Sequence, residues 1–173
     1  PTNVCWGMSN RAVLVRVPLG WTSGEDMCHK ANDIEPLTAR DYSIKQTVEM
    51  RSPDASADIY QLLAGLCVAC RHGFEMENAE AEAERTFADG DIHDPKNAER
   101  YATLAQLPDS CAASADCLER QRKVYEEHGV FSPAMIDGII KQLRSFNDRT
   151  LRQEVESKEM MMEKLVRQYF HCG

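Results

Sequence analysis

Asn10-Arg11, then Arg16-Val17-Pro18, and later Glu49-Met50-Arg51-Ser52-Pro53-Asp54 decide how this chain is read. Between the first two arginines runs Ala12-Val13-Leu14-Val15, an apolar, β-branched stretch that Pro18 closes, so it reads as a buried strand. Residues 44 to 51 alternate loosely and end before Pro53, which reads as a second strand. With side chains alternating along a strand, Thr47, Glu49 and Arg51 share one face. A carboxylate among guanidinium groups on strand ends suits a site that holds a metal ion together with phosphate.

These residues also carry a resemblance. Asn10, Arg11, Arg16 and Pro18, followed by Glu49, Arg51, Pro53, Asp54, Ser56, Ala57 and Tyr60, resemble in order and spacing the C-terminal part of the glutamine synthetase catalytic domain. Downstream, Leu107-Pro108-Asp109-Ser110, Ala115 and the helical run after them resemble the family's next block. The wording of Cys5-Trp6-Gly7-Met8-Ser9-Asn10-Arg11 and of Val15 to Trp21 is most similar to the type III branch. The resemblance extends over most of residues 1 to 155. It implies an α+β fold: a few antiparallel strands, then a predominantly helical half with a long final helix. It also implies a single C-terminal piece of a catalytic domain, 1–54 holding the strands, loop and site motifs and 55–173 the helices.

The activity implied is ATP-dependent ligation of glutamate and ammonia through a γ-glutamyl phosphate, with Mg²⁺ or Mn²⁺ as the cofactor. By motif position, Glu49 is the expected metal ligand, Arg11 and Arg16 face ATP phosphates, and Arg11 and Arg51 act at the transferred group, Arg51 also on the substrate. Hard cations prefer carboxylate oxygen, and the arginine fork matches anionic oxygens in pairs. The chain departs from the family where many relatives carry an arginine two residues before the glutamate: Thr47 stands there, with Lys45 or Gln46 as candidates to replace it. The chain opens on Pro1, close before its first motif, so the family's remaining metal carboxylates are expected upstream and the piece alone is expected to be inactive. In the intact enzyme the expected partners are glutamate, ammonia and ATP, within a large homo-oligomer.

Composition narrows the field independently. A net charge of −8 on 173 residues excludes a phosphate-backbone binder, which needs a basic face. No apolar run approaches the ~20 residues of a membrane span, and nothing resembles a secretory signal, so a soluble, cytoplasmic protein is expected. Seven cysteines, an odd number, do not form a secreted disulfide framework.

Farther along, residues 19–43 read as a polar loop. After it comes a helix, capped by Asp54 or Ser56, whose stripe is Ile59, Leu62, Leu63, Leu66 and Cys70 and which Gly73 interrupts or ends. Cys67-x-x-Cys70 has the spacing of a thiolate metal pair, but its place in an apolar helix assigns it to core packing. Residues 75–87 form an acidic solvated segment, and 88–109 a loop with a short helix near Pro95 to Leu104. Ser110 caps the next helix and Gly129 stops it; Ser132-Pro133 opens the last, expected to run from 133 to 170. Two further readings compete: a structural or oligomerisation module with unused strand motifs, and a ligase joining glutamate to another amine.

Overall fold

Ser9, with φ of 53°, turns the chain sharply after β1 (Trp6–Met8), and a loop of six residues brings it back as β2 (Val15–Val17). The two strands are parallel, Gly7 opposite Arg16, and β3 (Glu49–Met50) pairs antiparallel to β2 with Glu49 opposite Arg16. The sheet order is β1-β2-β3. In the computed structural model of the chain, residues 1–18, 26–37, 47–54, 56–157 and 159–170 are described. The fold is α+β, with three strands and seven α-helices among those residues.

Two expectations about the sheet change. The strand begins at Val15, three residues later than Ala12, because Val13 and Leu14 are buried in the returning loop rather than laid along a neighbour. The β1–β2 pairing is parallel where antiparallel strands were expected, because the six-residue loop carries the chain back beside Cys5, whose carbonyl accepts from Leu14 N and Val15 N, before β2 begins. Residues 44–46 of the second expected strand lie outside the described residues, as do 19–25 and 38–43 of the expected loop. Within that loop, α1 (Met27–Ala31) forms because Asp26 accepts from the N–H groups of Cys28 and His29.

The chain divides into two compact units, one of Pro1–Ser52 with Glu80–Leu107, the other of Pro53–Ala79 with Pro108–Gly173. In the first, Cys5, Val13, Ala88, Tyr101 and Leu104 make a small core, with Ile92 packed against it. Trp6 lies 4.9 Å from Phe87 between ring centroids, and its indole N–H donates to the Ala83 carbonyl in α3 (Ala79–Thr86) at 2.7 Å. The segment after α3 contains a single 3₁₀ turn, Pro95–Asn97, capped by Asp94, in place of the longer helix expected to reach Leu104. Gly7 runs so close to this segment that a Cβ there would lie 2.3 Å from the Ala88 carbonyl oxygen.

The second unit is built on α2 (Ile59–Glu75), α4 (Cys111–Glu126) and α5 (Pro133–Ser145). Their core is Val68, Ala115, Phe131, Ile136 and Ile140. Asp58, not Asp54 or Ser56, caps α2, accepting from Tyr60 and Gln61; Asp54 instead accepts from Ser56 and closes the preceding turn. The helix passes through Gly73 and ends where Met76 turns extended, as one glycine costs an interior turn only ~1 kcal/mol. Its core side is also not the expected stripe. Val68, Ala64 and their neighbours face the core, while Ile59, Leu63, Cys67 and Cys70 are exposed. Ser110, Ser132-Pro133 and the left-handed Gly129 (φ 67°) bound α4 and α5 as their local chemistry requires.

The expected long final helix is instead three helices: α5 ends at Ser145, and α6 (Leu151–Ser157) and α7 (Glu159–Tyr169) follow. Asn147 takes a left-handed φ of 48°, and Asp148 turns its carboxylate onto the N-terminus of α4, accepting from Cys111 N at 2.7 Å and Ala112 N at 3.1 Å. Burial opposes that charge, yet the two N–H groups outweigh it and hold the carboxyl below the usual carboxylate range. Burial, and then the neighbouring Asp148, push the Cys111 thiol up. Arg149 reaches Asp116, and Arg144 reaches Asp116 at 3.0 Å and Glu119 at 2.6 Å, so the break is strapped to α4 on two sides.

Gly7→Ala should destabilise the first unit by about 1–3 kcal/mol, since a backbone carbonyl must move to admit the methyl group; chemical denaturation measures this. Asp148→Asn should cost about 1 kcal/mol at pH 7, the scale of a lost helix cap. Because the folded carboxyl is depressed, its contribution is full above the ordinary carboxylate value of ~4 and is lost as pH falls through the folded value. Melting curves of the two proteins should therefore converge in acid.

Candidate functional site

Asn10 organises the loop that carries Arg11. Its side-chain oxygen accepts from Ala12 N at 2.9 Å, and its amide donates to the carbonyls of Ala88 at 3.0 Å and Gly90 at 2.8 Å. One short side chain thus satisfies backbone groups on both the loop and the 88–90 segment, the role asparagine favours in turns. Tyr101 supports the far side: its hydroxyl accepts from Gly90 N at 3.0 Å and donates to Asp89 at 2.9 Å. That hydroxyl, and then Arg100, hold the Asp89 carboxyl below its usual range.

From the other side, Arg51 closes the loop. Its guanidinium donates to the Arg11 carbonyl and, at 3.4 Å, to the Val13 carbonyl, while its backbone N–H donates to the Leu14 carbonyl at 3.0 Å. Its Nε lies 3.4 Å from one oxygen of Glu49, and the other oxygen of Glu49 is paired with Arg16. Glu49 therefore bridges two guanidinium groups across the β2–β3 ladder. Arg16, opposite Glu49 in register, keeps its Nε–H buried and without an acceptor.

Arg11 differs from both. Its side chain is exposed and has no partner among the described residues. It borders an open cleft of about 350 Å³ lined by Met8, Ser9, Asn10, Arg11, Ala12, Asp89, Gly90 and Asp91. All four expected site residues thus fall in one unit, with Glu49, Arg16 and Arg51 in contact and Arg11 held to them through its backbone. Thr47 is exposed just before β3. The contribution of Ala88, Asp89, Gly90 and Tyr101 was not read from the sequence; Asp89-Gly90-Asp91 is a turn signal, but nothing local says where that turn docks.

The donor set was tested against a divalent cation. Among the described residues no group of three His, Cys, Asp or Glu side chains could hold a metal. Both oxygens of Glu49 are engaged by arginines, so the described residues by themselves do not make up a divalent-cation site. Glu49 bridges two of the three guanidinium groups, while the cleft that Arg11 borders is shared with Asp89 and Asp91, so the Arg11 fork is the group an anion would meet there.

Comparison with known proteins agrees with the sequence resemblance. The family model for the glutamine synthetase catalytic domain matches residues 1–163. The glutamine synthetase of Streptomyces coelicolor is 27% identical over 137 residues, covering 79% of this chain and 24% of that protein. That of Streptomyces filamentosus is 26% identical over 145 residues, covering 84% of this chain and 26% of that protein. The chain spans about a quarter of the length of the curated relatives it matches. No solved structure matches it. With the matched stretch running through both arginine motifs and all of α2 to α6, the chain belongs to the glutamine synthetase catalytic-domain family.

Proposed function

We propose that Arg11, Arg16, Glu49 and Arg51 form one wall of a site that joins glutamate to ammonia at the expense of ATP, in a protein of the type III branch. The observation that supports this best is the bridged pair: Glu49 holds Arg16 and Arg51 side by side while the exposed Arg11 guanidinium is left to an anion. Forming and displacing an acyl phosphate concentrates negative charge on oxygen. Preorganised arginines stabilise such charge without reorganising as it develops. In this reading Arg11 binds phosphate oxygens at the cleft it borders, Arg16 faces the same phosphates, and Arg51 fixes the loop and meets substrate.

Glu49 has the chemistry of a Mg²⁺ or Mn²⁺ ligand, and in this reading it serves as one beside carboxylates that the described residues do not include. A lone carboxylate between two arginines does not recruit a divalent ion. The wall thus belongs to a larger site, in a homo-oligomeric enzyme with glutamate, ammonia and ATP as partners. A cytoplasmic setting accords with free thiols at all six described cysteines and with the lack, among the described residues, of a helix long and apolar enough to cross a membrane.

Two outcomes follow. Incubated with glutamate, ammonia, ATP and Mg²⁺, this chain alone should form no glutamine above the uncatalysed background; measurable turnover would show that no further carboxylates are needed. Titrated with inorganic phosphate, it should show shifts of the Arg11 and Arg16 Nε–H resonances in ¹⁵N spectra. Arg11→Ala should weaken that binding roughly ten- to a hundredfold, the scale of one charge-assisted pair of hydrogen bonds, and phosphate shifts that ignore Arg11 and Arg16 would dismiss the wall as an anion site.

A further inference from the structure

Gly90 is held through the peptide groups on both of its sides. Its N–H donates to the Tyr101 hydroxyl at 3.0 Å, and its carbonyl accepts from the Asn10 amide at 2.8 Å. Asn10 in turn accepts from Ala12 N at 2.9 Å, so the residues on either side of Arg11 are fixed from Gly90. A continuous run of hydrogen bonds thus leads from Tyr101 through Gly90 and Asn10 to the loop whose Arg11 borders the cleft. Space is as tight as the bonding. A Cβ on Gly90 would lie 3.3 Å from the Tyr101 hydroxyl and 3.1 Å from Asn97 Nδ2, which itself donates to the Asp91 carbonyl at 2.9 Å.

The hydroxyl is itself set. An ionised carboxylate only accepts, so Asp89, 2.9 Å away, takes the hydroxyl proton and leaves an oxygen lone pair for Gly90 N–H. Arg100 pairs with Asp89 at 2.9 Å, and its guanidinium lies 5.4 Å from the centroid of the Tyr101 ring. The ring is buried with Cys5, Val13, Ala88 and Leu104. A buried tyrosine needs one partner to avoid an unmet hydroxyl. Tyr101 has two, and both belong to the segment that clamps Asn10.

We infer that Tyr101 is a positioning residue for the Arg11 anion site: its hydroxyl holds Gly90, Gly90 holds Asn10, and Asn10 holds the backbone on either side of Arg11. Tyr101 has this role only if Arg11 meets an anion, as proposed above. Tyr101 is not among the residues that line the cleft, so it acts through the loop rather than on the ligand. The Arg11 side chain has no partner of its own among the described residues, and its backbone is the part that the fold fixes. A guanidinium binds an oxyanion through paired, parallel bonds, so a shift of that backbone is felt at both.

Titration with inorganic phosphate tests this in four purified proteins: the chain itself, Tyr101→Phe, Arg11→Ala and the double variant. Tyr101→Phe keeps the buried ring and should leave the circular dichroism spectrum unchanged. It should weaken phosphate binding about three- to tenfold, the scale of one hydrogen bond, and weaken it no further where Arg11 is already alanine. Hydrogen exchange at the Ala12 amide needs no ligand and should quicken by about the same factor in Tyr101→Phe. Gly90→Ala, which crowds the same hydroxyl while leaving the core ring in place, should repeat the pattern. Unchanged exchange at Ala12 overturns the positioning role whatever phosphate does. Binding that Arg11→Ala weakens and Tyr101→Phe does not also overturns it, with the anion reading left standing. Equal losses from Tyr101→Phe with and without Arg11 reduce Tyr101 to a core residue, and binding that Arg11→Ala does not alter ends both readings.

Discussion

The first unit depends on a short parallel connection that two side chains hold from opposite sides. Parallel strands are ordinarily joined by a dozen or more residues, because the chain must travel back along its own length. Here six residues suffice, and the cost is a row of loop carbonyls and amides that no strand can satisfy. Asn10 and Arg51 satisfy them: the amide ties the loop to Ala88 and Gly90, and the guanidinium takes the carbonyls of Arg11 and Val13. Lysine could not replace Arg51, since only a planar fork can serve two carbonyls and a carboxylate at once.

The motif's ion pairs add little to stability. Arg16, Glu49 and Arg51 are each a fifth or more exposed, and ion pairs in that setting contribute about 1 kcal/mol or less. The arrangement even keeps a buried Arg16 N–H without an acceptor, a cost that a purely structural pair would avoid. The strain of the Ser9 turn, a non-glycine at positive φ, belongs to the same arrangement: it aims Arg11 at the cleft.

What the sequence disclosed follows the range of each signal. Ser110 and Gly129 set the ends of α4, and Ser132-Pro133 the start of α5, through contacts within a few residues, and these boundaries stand where the sequence puts them. Ordered motifs marked Arg11, Arg16, Glu49 and Arg51, which one unit holds together. The docking of Ala88 and Gly90 and the turn of Asp148 onto α4 are decided by partners 36 to 80 residues away, and no periodicity carries them. The break after α5 had a local mark in Asn147-Asp148, but an apolar repeat that resumes beyond it reads as one helix unless the left-handed asparagine is weighed first. For α2, apolar residues surround the helix, so the pattern named the helix but the stripe of Ile59, Leu63 and Cys70 was not its core side.

The order of the chain then constrains how the site can form. Each unit is assembled from two separated stretches, the first from Pro1–Ser52 and Glu80–Leu107. The clamp on Asn10 is supplied by residues 78 and 80 positions later, after α2 and α3 have been made. Loop closure costs rise only as about (3/2)RT ln n, so this separation is a modest thermodynamic charge but a kinetic one as well, since non-local pairings form late. The arginine loop cannot be rigid until the 88–90 segment has returned. A segment that folds first and a clamp that arrives last would leave the loop that carries Arg11 as the final feature of its unit to be fixed.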